Sequence, residues 1–427
     1  MKPQTASVFG RGAPQLDLTA GEMRAIVASA LRDLAPESRV LAIVPDKTRD
    51  DNTDVLFPIL AEILSALRVK RFDALIAQGT HGPMTEQEKR AKLGAGLGLP
   101  GLNEIYDHRW DDAAHLVTIG QLSAEQVAEA TQGLIAEAVA LSVNKLLAPG
   151  NYDIVLVIGA TVPHEVAGFA GGAKYFFPGV AGPELTNLTH WLGALATIER
   201  VIGRIETPTR RLIELAATHI PARVIAFNSV VTRETSRLRT HALFAGELSA
   251  AFRQSAAISR QLHIKYTGRR YHRVVALLDE HYDEMWVGGK ASYKLGGVIE
   301  EGGELIIYAP HLKRLSATHG RLIERYGYAP LEEVKEMVAR SEELRANLCV
   351  AAHLAHVVYA SRRDENGRLA PRYRITLASA IDRETCARVR LGWMDPRSFR
   401  LEDYAGDPNT LIVERAGRDL YLVAPDD

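Results

Sequence analysis

The sequence predicts an α/β protein of two domains, each built around a largely parallel sheet. Short apolar runs such as Arg39–Pro45, Phe72–Ala77 and Asp153–Ile158 have the length and composition of buried strands. A stretch with helical periodicity, Val55–Val69, separates the first two of these runs. Strands that alternate with helices form βαβ units, and such sheets bind their ligands beyond the carboxyl ends of the strands. We therefore look for a functional site in the polar loops at those strand ends.

The same alternation continues through the second half of the chain. Further strands are predicted at 223–229, 274–278 and 304–308, and a helical pattern covers Leu248–Leu262. A basic segment at 265–272 separates that helix from the next strand. We therefore expect a first domain at 1–268 and a second α/β domain at 269–427, with the active site in the cleft between them.

Composition excludes several classes of protein. The chain has 427 residues, with 51 lysines and arginines, 52 aspartates and glutamates, and a formal net charge of −1. A general nucleic-acid-binding protein would carry a basic excess. The two cysteines, Cys349 and Cys386, are too few for a disulfide framework or a cysteine-ligated cluster. Because the chain lacks a signal peptide and any apolar run of about 18 residues, we expect a cytoplasmic protein that binds neither nucleic acid nor membrane.

The loop after the first strand, DKTR at 46–49, combines a carboxylate, a hydroxyl and a guanidinium. Asp46 and Thr48 are suited to capping the following helix, and Arg49 is suited to pairing with one of the next two aspartates. The alternative is that Arg49 binds a substrate carboxylate, because its planar guanidinium matches both carboxylate oxygens. The sequence leaves both interpretations open.

A histidine follows the second strand, with glycines on both sides of it. Gly79 and Gly82 leave the His81 imidazole little covered, so we expect this ring to face a cleft. Histidine is a common general acid or base at neutral pH, although a lone histidine is more often structural. Thr85 and Glu88 have the spacing of a capping box, which starts a helix just past His81.

The segment VPHEVAGFAGGAKYFFPG at 162–179 carries the richest set of functional signals. Gly171 and Gly172 permit positive φ and close approach of the backbone to a ligand, and consecutive amides there can form an anion-binding nest. The segment lacks the last glycine and the Ser/Thr of a Walker P-loop. Lys174 is therefore either a nucleophilic amine, since lysine readily loses its proton, or a binder of phosphate.

Two further histidines and two further lysines complete the candidates. His164 lies within the glycine-rich segment, and His190 follows on a helix predicted to begin near residue 183. With His81, these histidines could form a three-histidine zinc site. Lys290 and Lys294 lie four residues apart, so on a helix they share a face and either can bind a carboxylate or face solvent.

Four motifs occur in order: DKTR at 46, GTHGPMT at 79, PHEVAGFAGGAK at 163 and THW at 189. Together with the lysine-and-glycine segment at 288–303, they resemble the lactate racemase family, the 2-hydroxyacid racemases and epimerases that use a nickel-pincer nucleotide. Each motif alone is weak, but their order makes the combination specific. The resemblance implies an isomerase whose first domain binds cofactor and carries the catalytic residues, while the second closes over a small 2-hydroxy carboxylate. Cofactor-maturation proteins are implied as partners.

The resemblance also implies a role for each matching residue. His81 and His164 match the two acid/base histidines, and His190 matches the protein ligand to nickel. Lys174 matches the lysine that is covalently linked to the cofactor, a nickel pyridinium-3,5-bisthiocarboxylic acid mononucleotide. Arg49 and Lys290 match the pair that binds the substrate carboxylate, and spacing favours Lys290 over Lys294. The positions implied on the cofactor side are Asp46, Lys47, Thr48, Arg49, Gly171, Gly172 and Lys174.

The implied chemistry is consistent with this set of residues. Removing the hydrogen of a 2-hydroxy carboxylate as a proton would place a second negative charge beside the carboxylate, whereas removing it as hydride avoids that charge. Two histidines on opposite sides are needed because either enantiomer must be a substrate. The cofactor supplies the redox step, and the protein supplies orientation and electrostatics.

The sequence departs from the family pattern at four positions. Trp286 and Val287 stand where we expect a Tyr-Gln pair, Gly82 where we expect Arg, and Ala170 where Ser is common. We expect Trp286 to make the substrate pocket more apolar, which suits longer aliphatic or aromatic 2-hydroxyacids. Three other functions stay open: a lyase that forms a Schiff base at Lys174, the three-histidine zinc hydrolase, and a hydroxyacid-binding protein that has lost the cofactor.

Overall fold

A computed structural model describes residues 7–94, 98–234, 237–363, 365–367 and 369–425 of the chain. The chain divides into two compact units. One comprises Met1–Thr189 and Arg204–Leu262, and the other comprises His190–Gly203 and His263–Asp427. Both units combine helices with a largely parallel sheet, which confirms the predicted α/β class. The position of an active site relative to the two units stays a prediction.

The elements that precede residue 263 belong mainly to the first unit. Its strands are β1 (Val8–Gly12), β2 (Arg39–Pro45), β3 (Arg71–Ala77), β4 (Leu102–Asp107), β5 (Leu116–Leu122), β6 (Val139–Asn144), β7 (Ile154–Ala160), β8 (Pro163–His164), β9 (Gly168–Phe169), β10 (Arg223–Glu234) and β11 (Arg237–Gly246). The helices of this stretch are α1 (Ala20–Leu31), α2 (Thr53–Ala66), α3 (Glu86–Lys92), α4 (Ala124–Thr131), α5 (Pro183–Ala196), α6 (Ile198–Val201), α7 (Pro208–Ala217) and α8 (Leu248–His263).

A seven-stranded sheet forms the centre of the first unit, with the strand order β1-β11-β10-β7-β2-β3-β4. The strands from β10 to β4 run parallel, whereas β11 pairs antiparallel with both β10 and β1. β2 lies between β7 and β3, and its apolar run is buried on both faces. Strands covered on both faces read as continuous hydrophobic runs rather than alternating ones, which is why this strand is predictable from sequence.

A buried asparagine in the loop after β2 forms hydrogen bonds to strands β10 and β11. Asn52 immediately precedes α2; its Oδ1 accepts a hydrogen bond from Ser229 on β10 at 2.8 Å, and its Nδ2 donates to Thr240 on β11 at 3.1 Å. Buried polar groups are costly unless they are paired, so this network fixes where the helix begins. The predicted helix Val55–Val69 is found as Thr53–Ala66.

The second unit is built around a five-stranded, fully parallel sheet with the order β18-β17-β14-β13-β19. Its strands are β12 (Ile264–Tyr266), β13 (Tyr271–Leu277), β14 (Ile299–Ala309), β15 (Ser361–Arg363), β16 (Leu369–Pro371), β17 (Arg374–Ser379), β18 (Gly392–Met394), β19 (Thr410–Val413) and β20 (Leu420–Leu422). Its helices are α9 (Met285–Gly288), α10 (Lys290–Leu295), α11 (Gly320–Tyr326), α12 (Leu331–Arg340), α13 (Glu342–Arg345), α14 (Leu348–Val357) and α15 (Arg383–Arg388).

Where a predicted strand is found, the differences lie at its ends. The strand predicted at 223–229 extends to Glu234, because β10 continues past the parallel sheet as the partner of β11. The strand predicted at 304–308 begins earlier, at Ile299, where it pairs with the start of β13. Across the described residues, no helix is both long and apolar enough to cross a bilayer.

Candidate active site

Three candidate residues follow neighbouring strands of the first unit. Asp46 comes directly after β2, His81 follows β3, and His164 ends β8, a short strand just past β7. The strands β7, β2 and β3 are parallel and adjacent in the sheet, so their carboxyl ends lie side by side at one edge. Hydrogen bonding joins two of the loops, because the amide of Gly79 donates to the carbonyl of Gly179 at 2.9 Å.

Asp46 and His81 form a carboxylate–imidazole pair. Oδ2 of Asp46 lies 2.5 Å from Nδ1 of His81, while Oδ1 accepts hydrogen bonds from the amide and the hydroxyl of Thr48 at 3.1 and 2.6 Å. The carboxylate is buried, and the imidazole is 22% exposed. An acceptor on Nδ1 fixes the proton there and leaves the lone pair on Nε2, which is the arrangement of a general base.

Electrostatics keep the Asp46 carboxylate ionised. Burial alone would raise its pKa, but the His81 imidazole, the Arg49 guanidinium and the Thr48 hydroxyl outweigh burial and hold the pKa well below its ordinary value. A permanently charged carboxylate stabilises the adjacent ring when that ring takes up a proton. Asp46 therefore acts on His81 rather than merely capping a helix.

The two aspartates that follow Arg49 pair with other cations. Asp50 forms an ion pair with Arg233, and Asp51 lies 2.8 Å from Nζ of Lys92 and also accepts from a backbone amide of α2. Within the described parts of the chain, no carboxylate lies within ion-pair distance of the partly buried Arg49 guanidinium. This pattern favours the interpretation that Arg49 binds an anion over the one in which it pairs locally.

The Lys47 side chain does not join the contacts between Asp46, Thr48 and His81; it pairs with Glu88 instead. Its Nζ lies 2.7 Å from Glu88, and both side chains are partly exposed. Glu88 also forms the predicted capping box with Thr85 at the start of α3. The structure thus groups Asp46, Thr48 and His81, and it places the Lys47 ammonium on the surface beside α3.

His164 lies in a short hairpin formed by β8 and β9, where it pairs with Gly168. The amide of Val166 donates to its Nδ1 at 3.1 Å, and a carboxylate oxygen of Glu165 lies 3.7 Å from the same atom. Because an amide can only donate, Nδ1 carries no proton in this arrangement and the neutral ring holds its proton on Nε2. His81 and His164 are therefore held in opposite tautomers.

The glycine-rich loop has no room for side chains at its centre. Gly171 has a φ of +97°, and a Cβ added there would lie 2.7 Å from Oγ1 of Thr161. The amide of Gly172 donates to Oδ1 of the buried Asn228 at 3.1 Å, while Nδ2 of Asn228 has no hydrogen-bond partner among the described residues. Lys174 follows in a 3-10 turn, Gly172–Tyr175, and its side chain is partly buried.

This turn adjoins the loop at 46–51. Burial raises the pKa of the Tyr175 hydroxyl far above its ordinary value, and the charges of Asp51, Arg49 and Asp46 also act on it. The same hydroxyl packs where β7 has no side chain, since a Cβ on Gly159 would lie 2.0 Å from it. The turn that carries Lys174 is thereby held against the strand ends.

A buried arginine that belongs to none of the sequence motifs holds the glycine-rich loop by hydrogen bonds. Arg210 on α7 is fully buried, and its guanidinium donates to the carbonyls of Phe169 and Gly171. Its guanidinium carbon lies 3.8 Å from the centre of the Phe252 ring. Burial lowers the pKa of Arg210 to about 10. Nothing local in the sequence marks this residue, because the loop it holds lies about 40 positions earlier in the chain.

In the second unit, the two candidate lysines have different surroundings. Lys294 is buried, and its Nζ donates to the carbonyl of Arg418 at 2.6 Å. Lys290 begins α10, is partly buried, and has its Nζ 5.9 Å from the centre of the Tyr282 ring. Lys294 thus holds the backbone of its own unit, and the role of Lys290 in binding a carboxylate stays a prediction.

Trp286 packs against two histidine rings. The centroids of His319 and His353 each lie 4.4 Å from that of Trp286, and the hydroxyls of Tyr293 and Tyr328 lie 2.8 and 3.3 Å from the two ring nitrogens of His353. Neither histidine is a candidate from sequence, because they lie 33 and 67 positions beyond the tryptophan. These two tilted ring contacts restrict the orientation of the indole.

His190 lies on α5 and is partly buried. Burial lowers the pKa of His353 well below its ordinary value, with His356, His319 and His190 lowering it further. Over the residues that the structure describes, no three histidine, cysteine, aspartate or glutamate side chains come together as a metal-binding group.

Comparison with known proteins gives consistent matches. The family model described as lactate racemase N-terminal domain matches residues 23–201. The lactate racemases of Thermoanaerobacterium thermosaccharolyticum and Lactiplantibacillus plantarum are each 28% identical, over 162 and 167 residues. These segments cover 38% and 39% of this chain but only 34% and 35% of the relatives, so the match spans about a third of each relative's length.

Solved structures match over nearly the whole chain. A crystal structure of a Thermotoga maritima protein from a structural genomics consortium has a TM-score of 0.87 and 33% identity, covering 95% of this chain and 99% of that one. The lactate racemase apoprotein of T. thermosaccharolyticum has a TM-score of 0.70 and 18% identity, covering 97% and 100%. At that identity the second match concerns the fold alone.

Proposed function

Because the chain belongs to the lactate racemase family, we propose that it is a racemase or epimerase of small 2-hydroxycarboxylates. The observation that carries the proposal is the Asp46–His81 pair at 2.5 Å, which lies in the same loop region as Arg49. A base oriented by a carboxylate and a guanidinium suited to an anion are the two groups that a hydroxy carboxylate requires.

The base has a defined task in this proposal. Nε2 of His81 accepts the proton of the substrate hydroxyl, and the ionised Asp46 stabilises the resulting imidazolium. Arg49 and Lys290 bind the substrate carboxylate, the first through a fork of donors and the second as a point charge. His164 exchanges a proton with the substrate oxygen when the opposite enantiomer is formed or consumed.

Family membership implies a nickel-pincer nucleotide as cofactor, and the residues present suit that group. The Lys174 amine lies in a turn that packing forces to be glycine-rich, beside a buried Asn228 amide whose Nδ2 lacks a partner among the described residues. Lys174 would hold the group covalently, and His190 would supply an imidazole ligand to nickel. When bound, the group supplies an acceptor and donor of hydride for the substrate carbon.

We further propose that the preferred substrates carry apolar side chains. Trp286, whose indole packs against the His319 and His353 rings, would contribute an aromatic surface to the substrate pocket. We expect longer aliphatic and aromatic 2-hydroxyacids to turn over faster than diacids or sugar acids. A panel of optically pure acids tests this expectation, and fastest turnover of a diacid or a sugar acid would contradict it.

Intact-mass measurement tests the proposed attachment site. The protein is produced together with the cofactor-maturation proteins, as wild type, Lys174→Ala and Lys174→Arg. We expect a cofactor-sized adduct only on the wild type, because Arg keeps the positive charge but lacks the amine that forms the link. An adduct on either variant would contradict this attachment. Trapping of a keto acid on Lys174 by borohydride would instead support the Schiff-base lyase.

Activity measurements on the same wild-type preparation, and on His81→Gln produced in the same way, test the reaction itself. Wild-type protein is incubated with one pure enantiomer, and the enantiomers are separated by chiral chromatography. We expect wild type to convert the pure enantiomer into a mixture of both. We expect His81→Gln to lose this activity. Binding of the acid without any interconversion would contradict the proposal and support a non-catalytic binding protein.

A further inference from the structure

Two partners of His164 require opposite protonation states of the same nitrogen. The Val166 amide donates to Nδ1 at 3.1 Å, which requires a lone pair on that atom. Oε2 of Glu165 lies 3.7 Å from the same Nδ1, and a carboxylate can form a hydrogen bond there only when Nδ1 carries a proton. In the arrangement found, the amide occupies Nδ1 and the carboxylate stands just outside hydrogen-bond distance.

This arrangement leaves neutral His164 unable to act as a base through Nε2. Since its Nδ1 holds the lone pair, its Nε2 already carries the ring proton. His81 has the reverse arrangement, because the Asp46 carboxylate lies 2.5 Å from its Nδ1 and leaves the lone pair on Nε2. A second proton on His164 must therefore enter at Nδ1, where it displaces the amide.

We infer that Glu165 is a positioning residue. When the His164 ring becomes doubly protonated, the Glu165 carboxylate replaces the Val166 amide as the hydrogen-bond partner of Nδ1. This inference rests on the proposed function, in which His164 exchanges a proton with the substrate oxygen. A proton from solvent forms the Nδ1–H bond, and the imidazolium pairs with Glu165. The Nε2–H bond then breaks as its proton passes to the substrate oxygen.

The ring that results is neutral, with its proton on Nδ1 facing Glu165 and its lone pair on Nε2. His164 then has the tautomer that Asp46 imposes on His81. The amide-bound form is thus the resting state, and the carboxylate-bound form is the one that exchanges protons. Glu165 plays the part for His164 that Asp46 plays for His81.

Burial strengthens the electrostatic interaction between His164 and Glu165, and the turn between β8 and β9 brings the two side chains together. The side chains of His164 and Glu165 are 7% and 13% exposed, so water screens their interaction poorly. Glu165 lies in the turn between β8 and β9 rather than within a strand. Successive side chains on a strand point to opposite faces, and the turn is what allows this carboxylate to approach the ring next to it.

Nitrogen NMR of the full-length protein, labelled with ¹⁵N in its histidines and made without the maturation proteins, tests the inference. His164→Gln and His81→Gln assign the two rings. At neutral pH we expect the proton of His164 on Nε2 and that of His81 on Nδ1. We expect Glu165→Gln to leave the resting tautomer of His164 unchanged and to lower its protonation midpoint by about one pH unit, a tenfold loss of proton affinity.

The conservative variant and an internal control separate this role from a structural one. Glu165→Asp keeps the charge and should recover part of the lost proton affinity. The ¹⁵N signals of His115, whose Nδ1 lies 2.9 Å from Asp112, should be the same in every sample. If the wild-type ring carries its proton on Nδ1 at neutral pH, or if Glu165→Gln leaves the midpoint unchanged, the inference is wrong. These readouts need no cofactor, so they distinguish this inference from a failure of the racemase activity.

Discussion

Oδ2 of Asp46 and Nδ1 of His81 lie 2.5 Å apart, although the two residues follow different strands and are separated by 35 positions in the chain. Adjacent parallel strands, β2 and β3, bring them together at their carboxyl ends. Thr48 holds the other carboxylate oxygen, so the orientation of the pair is fixed from both sides. In the proposed function, this pair acts on the substrate hydroxyl.

Replacing the Asp46 carboxylate should weaken His81 as a general base while leaving the imidazole in place. We expect Asp46→Asn to lower kcat about 100-fold or more, since general-base catalysis contributes roughly that much. The amide cannot stabilise the protonated ring and no longer fixes the tautomer of His81. Steady-state racemisation by the cofactor-loaded protein measures the effect. The control is Asp112→Asn, which removes an exposed carboxylate from His115 and should leave kcat unchanged.

The acid stability of the protein should also depend on Asp46. Its pKa in the folded protein is held well below the ordinary value of 3.8, so the unfolded chain binds a proton at this position more readily. The stabilisation is therefore complete above about pH 5 and is lost as the pH falls below about 4. We expect the difference in unfolding free energy between wild type and Asp46→Asn to shrink over that range in urea titrations. A difference that stays constant down to pH 3 would contradict the assignment.

Arg49 should affect substrate binding more than the chemical step. We expect Arg49→Met to raise KM about 10- to 100-fold, because a charge-assisted hydrogen bond is worth roughly 1.5–3 kcal/mol. Arg49→Lys keeps the charge but not the fork of donors, so it should recover only part of the loss. Arg109→Gln alters an exposed arginine paired with Asp111 and serves as the control. An unchanged KM in Arg49→Met would assign the carboxylate to another residue.

Arg210 should be required for stability. Arg210→Met leaves the carbonyls of Phe169 and Gly171 buried without their donor, so we expect a loss of about 2–4 kcal/mol in unfolding free energy. The neighbouring Arg211 is exposed, and Arg211→Met should change stability by less than about 0.5 kcal/mol. Urea unfolding of both variants gives the comparison. Equal effects of the two substitutions would show that the buried contacts of Arg210 are not what stabilises the loop.

Sequence alone predicts the parallel core well, because its strands are buried on both faces. The run Arg39–Pro45 is both the predicted and the observed extent of β2. The antiparallel edge formed by β11 and β1 is not among the predictions. β11 forms a hairpin with the preceding strand β10, but its other partner, β1, lies at the opposite end of this unit's sequence. Propensity and periodicity describe local conformation and contain no information on such partners.

The candidate site shows the same division between local and distant information. Motif order indicates His81, His164 and Lys174 from sequence, but the partners that fix their protonation and position are visible only in the structure. Glu165 is adjacent to His164, and a strand pattern would direct it to the opposite face. Arg210 reaches the glycine-rich loop from a helix that follows it by about 40 residues. The role of Arg49 likewise depends on the structure, which shows that Asp50 and Asp51 form ion pairs with other residues.

Racemisation in deuterated water distinguishes hydride transfer from removal of the C2 hydrogen as a proton. The cofactor-loaded protein is incubated with one enantiomer of a protiated 2-hydroxyacid in D₂O, and the product is examined by proton NMR and chiral chromatography. Transfer of hydrogen as hydride predicts that the opposite enantiomer forms with protium retained at C2. Deuterium at C2 of the racemised product, or an optically pure acid left unchanged, would contradict the account.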